Sequence, residues 1–377
     1  MQPALADVIP SVAKALVGEA ENVLGISPAR DVVVLLVDGL GAELIKRHAE
    51  AAPTLVAAMR ATLAAGFPAT TATSLSSLAV GAPCATHGIV GYSFAVPGPE
   101  PDGQLLNALR WRVGEGKGSD ARESLPPESV QTVPSAIEGL AASGIDIHYV
   151  VPSYQVRSGL TRASFRAPGV LHPAASLDEV RAGILEVARH DGLGSRFAYA
   201  YYPDLDMNGH LFGPGSAEWL TVLAAIDAMI ADLFTELPDT CTLLVTGDHG
   251  MVRAGAVIDL DADPNYWRDV RLLAGEARVR HVYARVPQAA ADIASRWSAL
   301  LGHHARVVTR EQALDERWFG ATPPTATINA RIGDVLAVAD GTSILASPSR
   351  EPMESAMAGH HGAWTAEEQL IPLITNR

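Results

Sequence analysis

The sequence predicts an α/β fold with a mostly parallel, doubly wound sheet flanked by helices. Apolar runs typical of buried strands alternate along the chain with longer segments of helical periodicity. The first of these runs, VVVLLV at residues 32–37, is apolar throughout, as in a parallel strand covered on both faces. Ligands of such sheets bind beyond the carboxyl ends of the strands, so the residues that follow each strand decide the function.

The predicted elements follow one another in regular order. After the strand at 32–37 and the turn Asp38-Gly39-Leu40-Gly41 comes a helix at 42–51. Further strands are predicted at 145–151, 197–202 and 242–246, with helices between them at 134–142, 176–189 and 216–236. A last strand, at 370–374, is expected to return to the main sheet.

Two segments interrupt this alternation and read as insertions. Residues 93–133 are rich in Pro, Gly and charge, which indicates a loop or a small cap. Residues 257–357 have their own strand–helix–strand pattern, at 279–286, 287–301 and 305–308, and are predicted to form an inserted α/β subdomain. The core domain then comprises residues 1–256 and 358–377.

Composition excludes several classes of protein. The 377 residues include 28 Lys+Arg and 42 Asp+Glu, a formal net charge of −14, which argues against binding to a nucleic-acid polymer or an anionic membrane. With 48% hydrophobic residues the chain can build a core. Two cysteines, Cys84 and Cys241, cannot form a disulfide framework. Because neither a signal peptide nor an apolar run of about 20 residues is evident, a cytoplasmic location is expected.

Aspartates and histidines recur just after the predicted strands. Asp38 follows the first strand, the segment 206–210 (DMNGH) follows the third, and Asp248-His249-Gly250 follows the fourth, while His360-His361 stands near the C-terminus. Taken singly, such residues are typical of helix caps, turns and polar loops. Together, at one end of a sheet, these groups would repel one another without a cation, and their O and N atoms suit zinc or manganese.

A candidate nucleophile lies in the hydroxyl-rich segment 67–78, FPATTATSLSSL, which runs into an apolar helical pattern. One interpretation is a helix N-terminus at which Thr and Ser side chains cap backbone N–H groups. The other is that a Thr hydroxyl lies where the helix N-terminus holds an anion and a metal lowers the hydroxyl pKa.

The order and spacing of these blocks, from residue 31 to 362, resemble the alkaline phosphatase superfamily, and within it the type I phosphodiesterase / nucleotide pyrophosphatase family. The matching blocks are 37–39, 67–81 with 86–89, 206–210 with 213–214, 246–251 and 359–362. The resemblance implies an alkaline-phosphatase-like fold and hydrolysis of phosphate mono- or diesters of small molecules. It also implies two bound divalent metal ions, with zinc as the expected metal and manganese or iron as alternatives.

The resemblance also implies a role for each site residue. The first zinc would be bound by Asp206, His210 and His361, and the second by Asp38, Asp248, His249 and Thr71. Thr71, rather than Thr70, is the expected nucleophile, because the family's nucleophile is the fifth residue of its block counted from the aromatic before Pro. Attack by Thr71 would form a phospho-threonine, which water then hydrolyses.

Substrate contacts are predicted at four further residues. Ser74 stands three residues after the nucleophile, where nucleotide-cleaving members carry Asn, and is a candidate donor to a phosphate oxygen. Tyr92 and Tyr154 are candidates for an aromatic contact, and Arg162 for a contact with an anionic group, unless it pairs with a nearby carboxylate. The alternatives in function are a phosphomutase or phosphotransferase of the same superfamily and a non-catalytic, metal-dependent binding protein.

Overall fold

The computed structural model describes residues 2–98, 103–114, 118–189, 192 and 194–377. Within these ranges the strands, numbered along the chain, are β1 (Asp31–Val37), β2 (Met59–Ala64), β3 (Ser93–Val96), β4 (Gln104–Asn107), β5 (Arg112–Val113), β6 (Ser119–Asp120), β7 (Asp146–Val151), β8 (Val170–Pro173), β9 (Arg196–Tyr202), β10 (Cys241–Thr246), β11 (Val252–Arg253), β12 (Val257–Asp259), β13 (Val270–Glu276), β14 (Val279–Ala284), β15 (Ala305–Thr309), β16 (Val335–Ala339), β17 (Ile344–Ala346), β18 (Gly359–His360) and β19 (Leu370–Thr375).

The α-helices of the same ranges are α1 (Val8–Leu16), α2 (Ala42–Arg47), α3 (Pro53–Ala58), α4 (Thr71–Val80), α5 (Cys84–His87), α6 (Pro127–Val130), α7 (Ala136–Ala142), α8 (Gly159–Ser164), α9 (Leu177–Ala188), α10 (Asp204–Phe212), α11 (Ala217–Glu236), α12 (Ala290–Leu301), α13 (Arg310–Asp315), α14 (Ala326–Asn329), α15 (Pro352–Ser355) and α16 (Ala366–Gln369). None of these helices combines the length and the apolar composition that a membrane crossing requires.

The main sheet has seven strands in the order β2-β19-β10-β1-β9-β7-β8. The five strands from β10 to β8 are parallel neighbours, and β19 runs antiparallel to both β10 and β2. The prediction of a mostly parallel α/β sheet is therefore confirmed, and the last predicted strand does return to this sheet.

Helices cover both faces of the main sheet, as the apolar sequence of β1 predicts. Val32, Val34 and Leu36 face a core cluster that includes residues of α1, α4 and α7, while the alternate residues of β1 face a second cluster with residues of α2, α9 and α11. Every residue of β1 is buried. Full burial of one Val or Leu side chain stabilises a fold by about 1.5–3 kcal/mol, so a strand apolar on both faces is favoured here.

Two smaller antiparallel sheets lie in the segments predicted as insertions. Within residues 93–133, expected to be a loop or small cap, the described residues form the sheet β3-β4-β5-β6, whose strands are two to four residues long. In strands this short, the alternation of apolar and polar residues is too brief to distinguish a strand from a loop in the sequence. Within residues 257–357, the predicted strand–helix–strand unit corresponds to β14, α12 and β15, and the sheet β13-β14-β16-β15 adds two strands to it. The division of the chain into core and inserted domains stays a prediction.

The topology brings three of the chemical blocks to one edge of the main sheet. β10, β1 and β9 are adjacent and parallel, with Leu36 level with Thr246 and Val37 level with Tyr202. The chain leaves all three strands at nearly the same height, and the residues that follow them must therefore lie close together.

Candidate metal centre

Three aspartates lie at the carboxyl edge of β10, β1 and β9. Asp38 follows β1, Asp248 follows β10, and Asp206 lies in the first turn of α10, after β9. The N–H groups of Gly39 and His249 each donate to Oδ1 of Asp248 at 3.0 Å. Gly39 has a φ of +75°, and a Cβ there would lie 3.0 Å from the Cα of Asp206. A glycine at this turn therefore lets the carboxylates approach one another.

Three imidazoles surround these carboxylates. His210 lies one turn after Asp206 on α10, with its Nε2 3.2 Å from Asp206 Oδ2. His361 follows β18, which pairs with β11 just beyond the Asp248-His249 turn. The rings of His249 and His361 stack with their centroids 3.6 Å apart, and the His210 ring lies 5.1 Å from that of His361.

Each of these imidazoles has its Nδ1 against a backbone carbonyl. The distances are 2.8 Å from His210 to Gly359 O, 3.0 Å from His249 to Gly250 O and 3.0 Å from His361 to Ala69 O. A carbonyl oxygen only accepts, so Nδ1 carries the proton and donates. In a neutral ring Nε2 then keeps its lone pair, which is the arrangement that metal-binding histidines adopt. In His210 burial lowers the pKa, but the charge of Asp206 outweighs burial and raises the pKa to about 9, so a cation at this Nε2 would displace a proton.

The donor atoms form two groups that fit divalent cations. Ligand atoms of Asp206, His249 and His361 lie within 4.8 Å of one another, as do those of Asp38, Asp248 and His249. In the described part of the chain, Oδ1 of Asp38, Oδ1 of Asp206 and Oδ2 of Asp248 are buried without a hydrogen-bond partner. Buried carboxylate oxygens of this kind, with imidazole nitrogens beside them, suit zinc and similar ions.

The observed grouping differs from the sequence-based assignment of ligands at two histidines. His249 belongs to both groups, whereas it was assigned with Asp38 and Asp248 alone. His210, assigned with Asp206 and His361, contacts that group through Asp206. The predicted residues lie together in the structure, and their division between two metals stays a prediction.

Electrostatics favours a cation at this place. Burial raises the pKa of Asp38 well above its usual value, and the charges of Asp248 and Asp206 raise it further. Burial also raises the pKa of Asp248. Burial alone would raise the pKa of Asp206, but the charge and hydrogen bond of His210 outweigh it and lower that pKa. Several buried carboxylates are costly to ionise together, and a bound cation would remove that cost.

Thr71 and Ser74 lie beside this cluster on α4. Thr71 is the first residue of the helix, and its Oγ1 lies 3.2 Å from Nε2 of His249. The preceding Thr70 makes no side-chain cap and instead donates from Oγ1 to Glu276 Oε2 at 3.0 Å. The first N–H groups of a helix lack intrahelical acceptors and attract anions. Ser74 is fully buried one turn later, and its Oγ has no partner among the described residues.

Two residues of the site were not predicted from the sequence. Glu276, at the end of β13, lies with Oε2 3.8 Å from Nδ1 of His361, and burial raises its pKa to about 8. Tyr201, on β9, donates from its hydroxyl to Oδ2 of Asp38. In the sequence, Glu276 cannot be distinguished from an ordinary acidic residue of a hairpin turn. Tyr201 belongs to the alternating aromatics of Phe197, Tyr199 and Tyr201, which are equally typical of packing.

The predicted substrate contacts have different surroundings. Tyr154 is 71% exposed and lines the mouth of a cavity of about 780 Å³ that reaches Thr71. The hydroxyl of Tyr92 lies 3.4 Å from Glu354 Oε1. Arg162 donates from Nε and Nη2 to the two carboxylate oxygens of Glu128, at 2.9 Å each. This is the pairing with a nearby carboxylate that the sequence left open as the alternative to substrate binding. Roles for these three residues in substrate binding stay predictions.

Comparison with known proteins gives one family for nearly the whole chain. The model of the type I phosphodiesterase / nucleotide pyrophosphatase family matches residues 32–364. A comparison with curated proteins gave no match.

Solved structures share the fold at low sequence identity. Human ectonucleotide pyrophosphatase / phosphodiesterase 5 is 18% identical, with 91% of this chain and 87% of that chain covered and a TM-score of 0.67. An inactive variant of the murine enzyme in complex with AMP is 20% identical, covers the same shares and has a TM-score of 0.65. Phosphonoacetate hydrolase from Sinorhizobium meliloti 1021, in complex with phosphonoformate, is 19% identical, with 93% and 90% covered and a TM-score of 0.67.

Proposed function

The chain belongs to the type I phosphodiesterase / nucleotide pyrophosphatase family, and we propose that it hydrolyses phosphoric esters through a phospho-threonine formed on Thr71. The observation that supports this most directly is the position of Thr71 Oγ1, 3.2 Å from His249 Nε2 at the edge of the Asp/His cluster. A hydroxyl at that place can reach any phosphorus atom held against the cluster.

Two divalent cations are proposed to complete the site, with zinc as the first choice. Asp206, His210 and His361 would hold one, and Asp38, Asp248 and His249 the other, with Thr71 beside it. Bound there, the cations would neutralise the carboxylates, polarise the phosphoryl oxygens and lower the pKa of the threonine hydroxyl. The Nδ1–H donations to backbone carbonyls, which turn each Nε2 toward the carboxylates, and the unpartnered carboxylate oxygens support this assignment.

Thr71 carries the covalent chemistry in this proposal. Its Oγ1 attacks phosphorus and gives up its proton to solvent, the bond from phosphorus to the ester oxygen breaks, and the alcohol leaves after taking a proton. Water then attacks the phospho-threonine and restores the hydroxyl. The products are the alcohol and a phosphate, or a phosphate monoester if the substrate was a diester.

Residues of α4 are proposed to hold the phosphoryl oxygens during this sequence. The N–H groups of the first helical turn are available to an anion, because Thr70 makes no side-chain cap that would accept from them. Ser74 lies on the same face one turn later, with a buried hydroxyl that has no partner among the described residues. A serine donor is shorter than an asparagine, and the site would therefore rely more on helix N–H groups.

The proposal is tested with the purified full chain loaded with zinc. Nitrophenyl phosphate monoesters and diesters should both be offered, and the release of nitrophenol followed. We expect hydrolysis of at least one class, and acid quenching during turnover should trap a phosphoryl group on the peptide that contains Thr71. Metal analysis of the same sample counts and identifies the ions. A fully loaded protein that hydrolyses neither class would refute the proposed function.

A further inference from the structure

The cavity beside Thr71 has predominantly apolar walls. Its volume, about 780 Å³, lies within the range of about 300–1,000 Å³ that is typical of small-molecule sites. One end reaches Asp38, Thr71 and Asp206, where the phosphoryl group of the proposed function would lie. The wall beyond that end is formed by side chains from α4, β7, α8 and β9 and from the segments next to them: Leu75, Tyr149, Val151, Leu160, Phe165, Ala167 and Tyr199.

The opening of the cavity is also apolar. The described residues include 15 large hydrophobic side chains that are more than one third exposed, and five of them line this one cavity. They are Leu109, Tyr154, Val156, Leu171 and Met207. Clustered exposed apolar side chains are unfavourable in water unless they meet a ligand or partner. Because these five surround a cavity that leads to the nucleophile, a substrate is the simplest occupant.

The charged residues at the opening are engaged with their own neighbours. Arg122 pairs with Asp120, Arg110 lies 3.7 Å from Glu354, and Arg112 donates from Nη2 to Gly118 O at 2.8 Å. Arg110 and Arg122 are half exposed. The positive charge of Arg110 and Arg122 is therefore at the surface, within contacts of the β3–β6 sheet and of α15.

One hydroxyl of the inner wall has no partner among the described residues. Tyr199 is 3% exposed, its ring packs on Phe165 with centroids 4.6 Å apart, and its Oη is buried without a hydrogen bond. The hydroxyls of the other two inner tyrosines are engaged, since Tyr149 donates to Ala167 O and Tyr201 to Asp38. A buried hydroxyl left unpaired costs about 1–3 kcal/mol, so a ligand that accepts from Tyr199 is favoured.

We infer that this cavity binds an apolar group of the substrate, so that the preferred substrates are phosphoric esters of an aryl or bulky alkyl alcohol, and that Tyr199 donates to one acceptor atom on that group. This inference rests on the proposed function for its phosphoryl end. Nucleotides are disfavoured, because the inner wall has one uncommitted hydroxyl against the several polar edges of a nucleoside.

Binding of stable phosphonates tests the inference without turnover. Dissociation constants are measured by calorimetry on the zinc-loaded full chain for methyl-, cyclohexyl- and phenylphosphonate and for adenosine 5′-monophosphate. We expect the cyclohexyl and phenyl compounds to bind at least tenfold more tightly than the methyl compound and the nucleotide. Equal binding of methyl- and cyclohexylphosphonate, or tighter binding of the nucleotide, would overturn the inference.

Substitutions at the opening connect the preference to this cavity. Val156→Ser and Leu171→Ser change exposed side chains and leave the core intact. Each should lower the ratio of cyclohexyl to methyl affinity several-fold. Val286→Ser changes an apolar side chain that is 54% exposed and does not line the cavity, and should leave the ratio as it is. An unchanged ratio in both opening variants would show that the preference arises elsewhere.

The role of Tyr199 is tested with 3- and 4-acetylphenylphosphonate, which add one acceptor to the ring. At least one of them should bind more tightly than phenylphosphonate, and Tyr199→Phe should abolish that gain. If neither gains, Tyr199 is not a donor to the substrate. The calorimetry separates the two proposals: apolar preference in a protein that hydrolyses no nitrophenyl ester refutes only the proposed function, and hydrolysis without apolar preference refutes only this inference.

Discussion

The hydroxyl of Tyr201 on β9 donates a hydrogen bond to Oδ2 of Asp38, which follows the adjacent strand β1. One carboxylate oxygen of Asp38 is thereby fixed, and the other, Oδ1, lies 3.5 Å from Nε2 of His249. A residue that orients a metal ligand in this way typically changes metal affinity by about 10–100-fold when it is removed.

Tyr201→Phe should therefore weaken zinc binding by about 10–100-fold and leave the fold intact. Competition with a chelator measures the affinity directly and requires no substrate. Tyr202→Phe is the matched control, because Tyr202 donates to Asp204 at 3.0 Å, and Asp204 is outside the ligand groups. Equal zinc affinity in the wild type and Tyr201→Phe would mean that the hydrogen bond does not position Asp38.

Asp248→Asn should remove one metal ion and lower turnover by more than about 100-fold. This loss exceeds the effect of removing a residue that only hydrogen-bonds to a metal ligand. Asparagine retains Oδ1, which accepts from Gly39 and His249, so the turn itself should survive. Metal content and nitrophenyl ester hydrolysis are measured on the same sample. Asp340→Asn, which alters an exposed aspartate that accepts from Gly341 N–H, serves as control. A variant at Asp248 with full metal content and full activity contradicts the assignment.

Thr71→Ala should lower the rate by a factor on the order of 10³ or more, because the nucleophile is lost. Metals should remain bound, since carboxylates and imidazoles supply the other ligands. Thr70→Ala removes a neighbouring hydroxyl that donates to Glu276 and should have a much smaller effect. If Thr70→Ala abolishes activity and Thr71→Ala does not, the nucleophile has been assigned one residue too late.

His87 should make the fold less stable in acid. Burial, together with the charge of Arg331, lowers its pKa from 6.5 to about 3. The Ile89 N–H donates to Nδ1 at 3.2 Å, so Nε2 carries the proton and donates to Ser77 Oγ at 3.0 Å. Between about pH 6.5 and 3, His87 is protonated in the unfolded chain but neutral in the native state. The free energy of unfolding therefore falls as the pH falls.

The contribution of His87 is isolated by comparing unfolding at pH 7 and pH 5 in wild type and His87→Gln, both metal-free. The loss of stability between these pH values should be smaller in the variant by about 2 kcal/mol. Because the metal ligands titrate in both proteins, their effect cancels in the difference. Identical pH dependence would show that His87 is not the acid-sensitive group.

The edge of the main sheet could be predicted from sequence because strand ends are local features. An uninterrupted apolar run marks β1, and the aspartates that follow β1, β9 and β10 can be read directly from the chain. His360-His361 stood out in the sequence by residue type, but the choice of His361 as the ligand came from the family resemblance, since its approach depends on the pairing of β18 with β11. Pairing between such short strands depends on tertiary contacts that no local pattern encodes.

Other parts of the site could not be predicted, for related reasons. Glu276 enters from a hairpin of the 257–357 segment, and nothing near it in sequence distinguishes it from a solvated turn residue. The edge strands β2 and β8 were missed because they are partly exposed and lack a clear alternation of apolar and polar residues. The β3–β6 sheet was expected to be a loop or a small cap, since its strands of two to four residues contain at most two repeats of the alternation that marks a strand.

The position of β19 has a consequence for the order in which the chain can assemble. β19 lies between β2 and β10 in the main sheet, although it comes from the last residues of the sequence. During synthesis on the ribosome, β2 and β10 are complete long before the strand that joins them exists. The edge of β2 that β19 will cover must then wait for a partner synthesised about 300 residues later, and a nascent chain stalled before residue 370 exposes two open strand edges to chaperones or to other nascent chains.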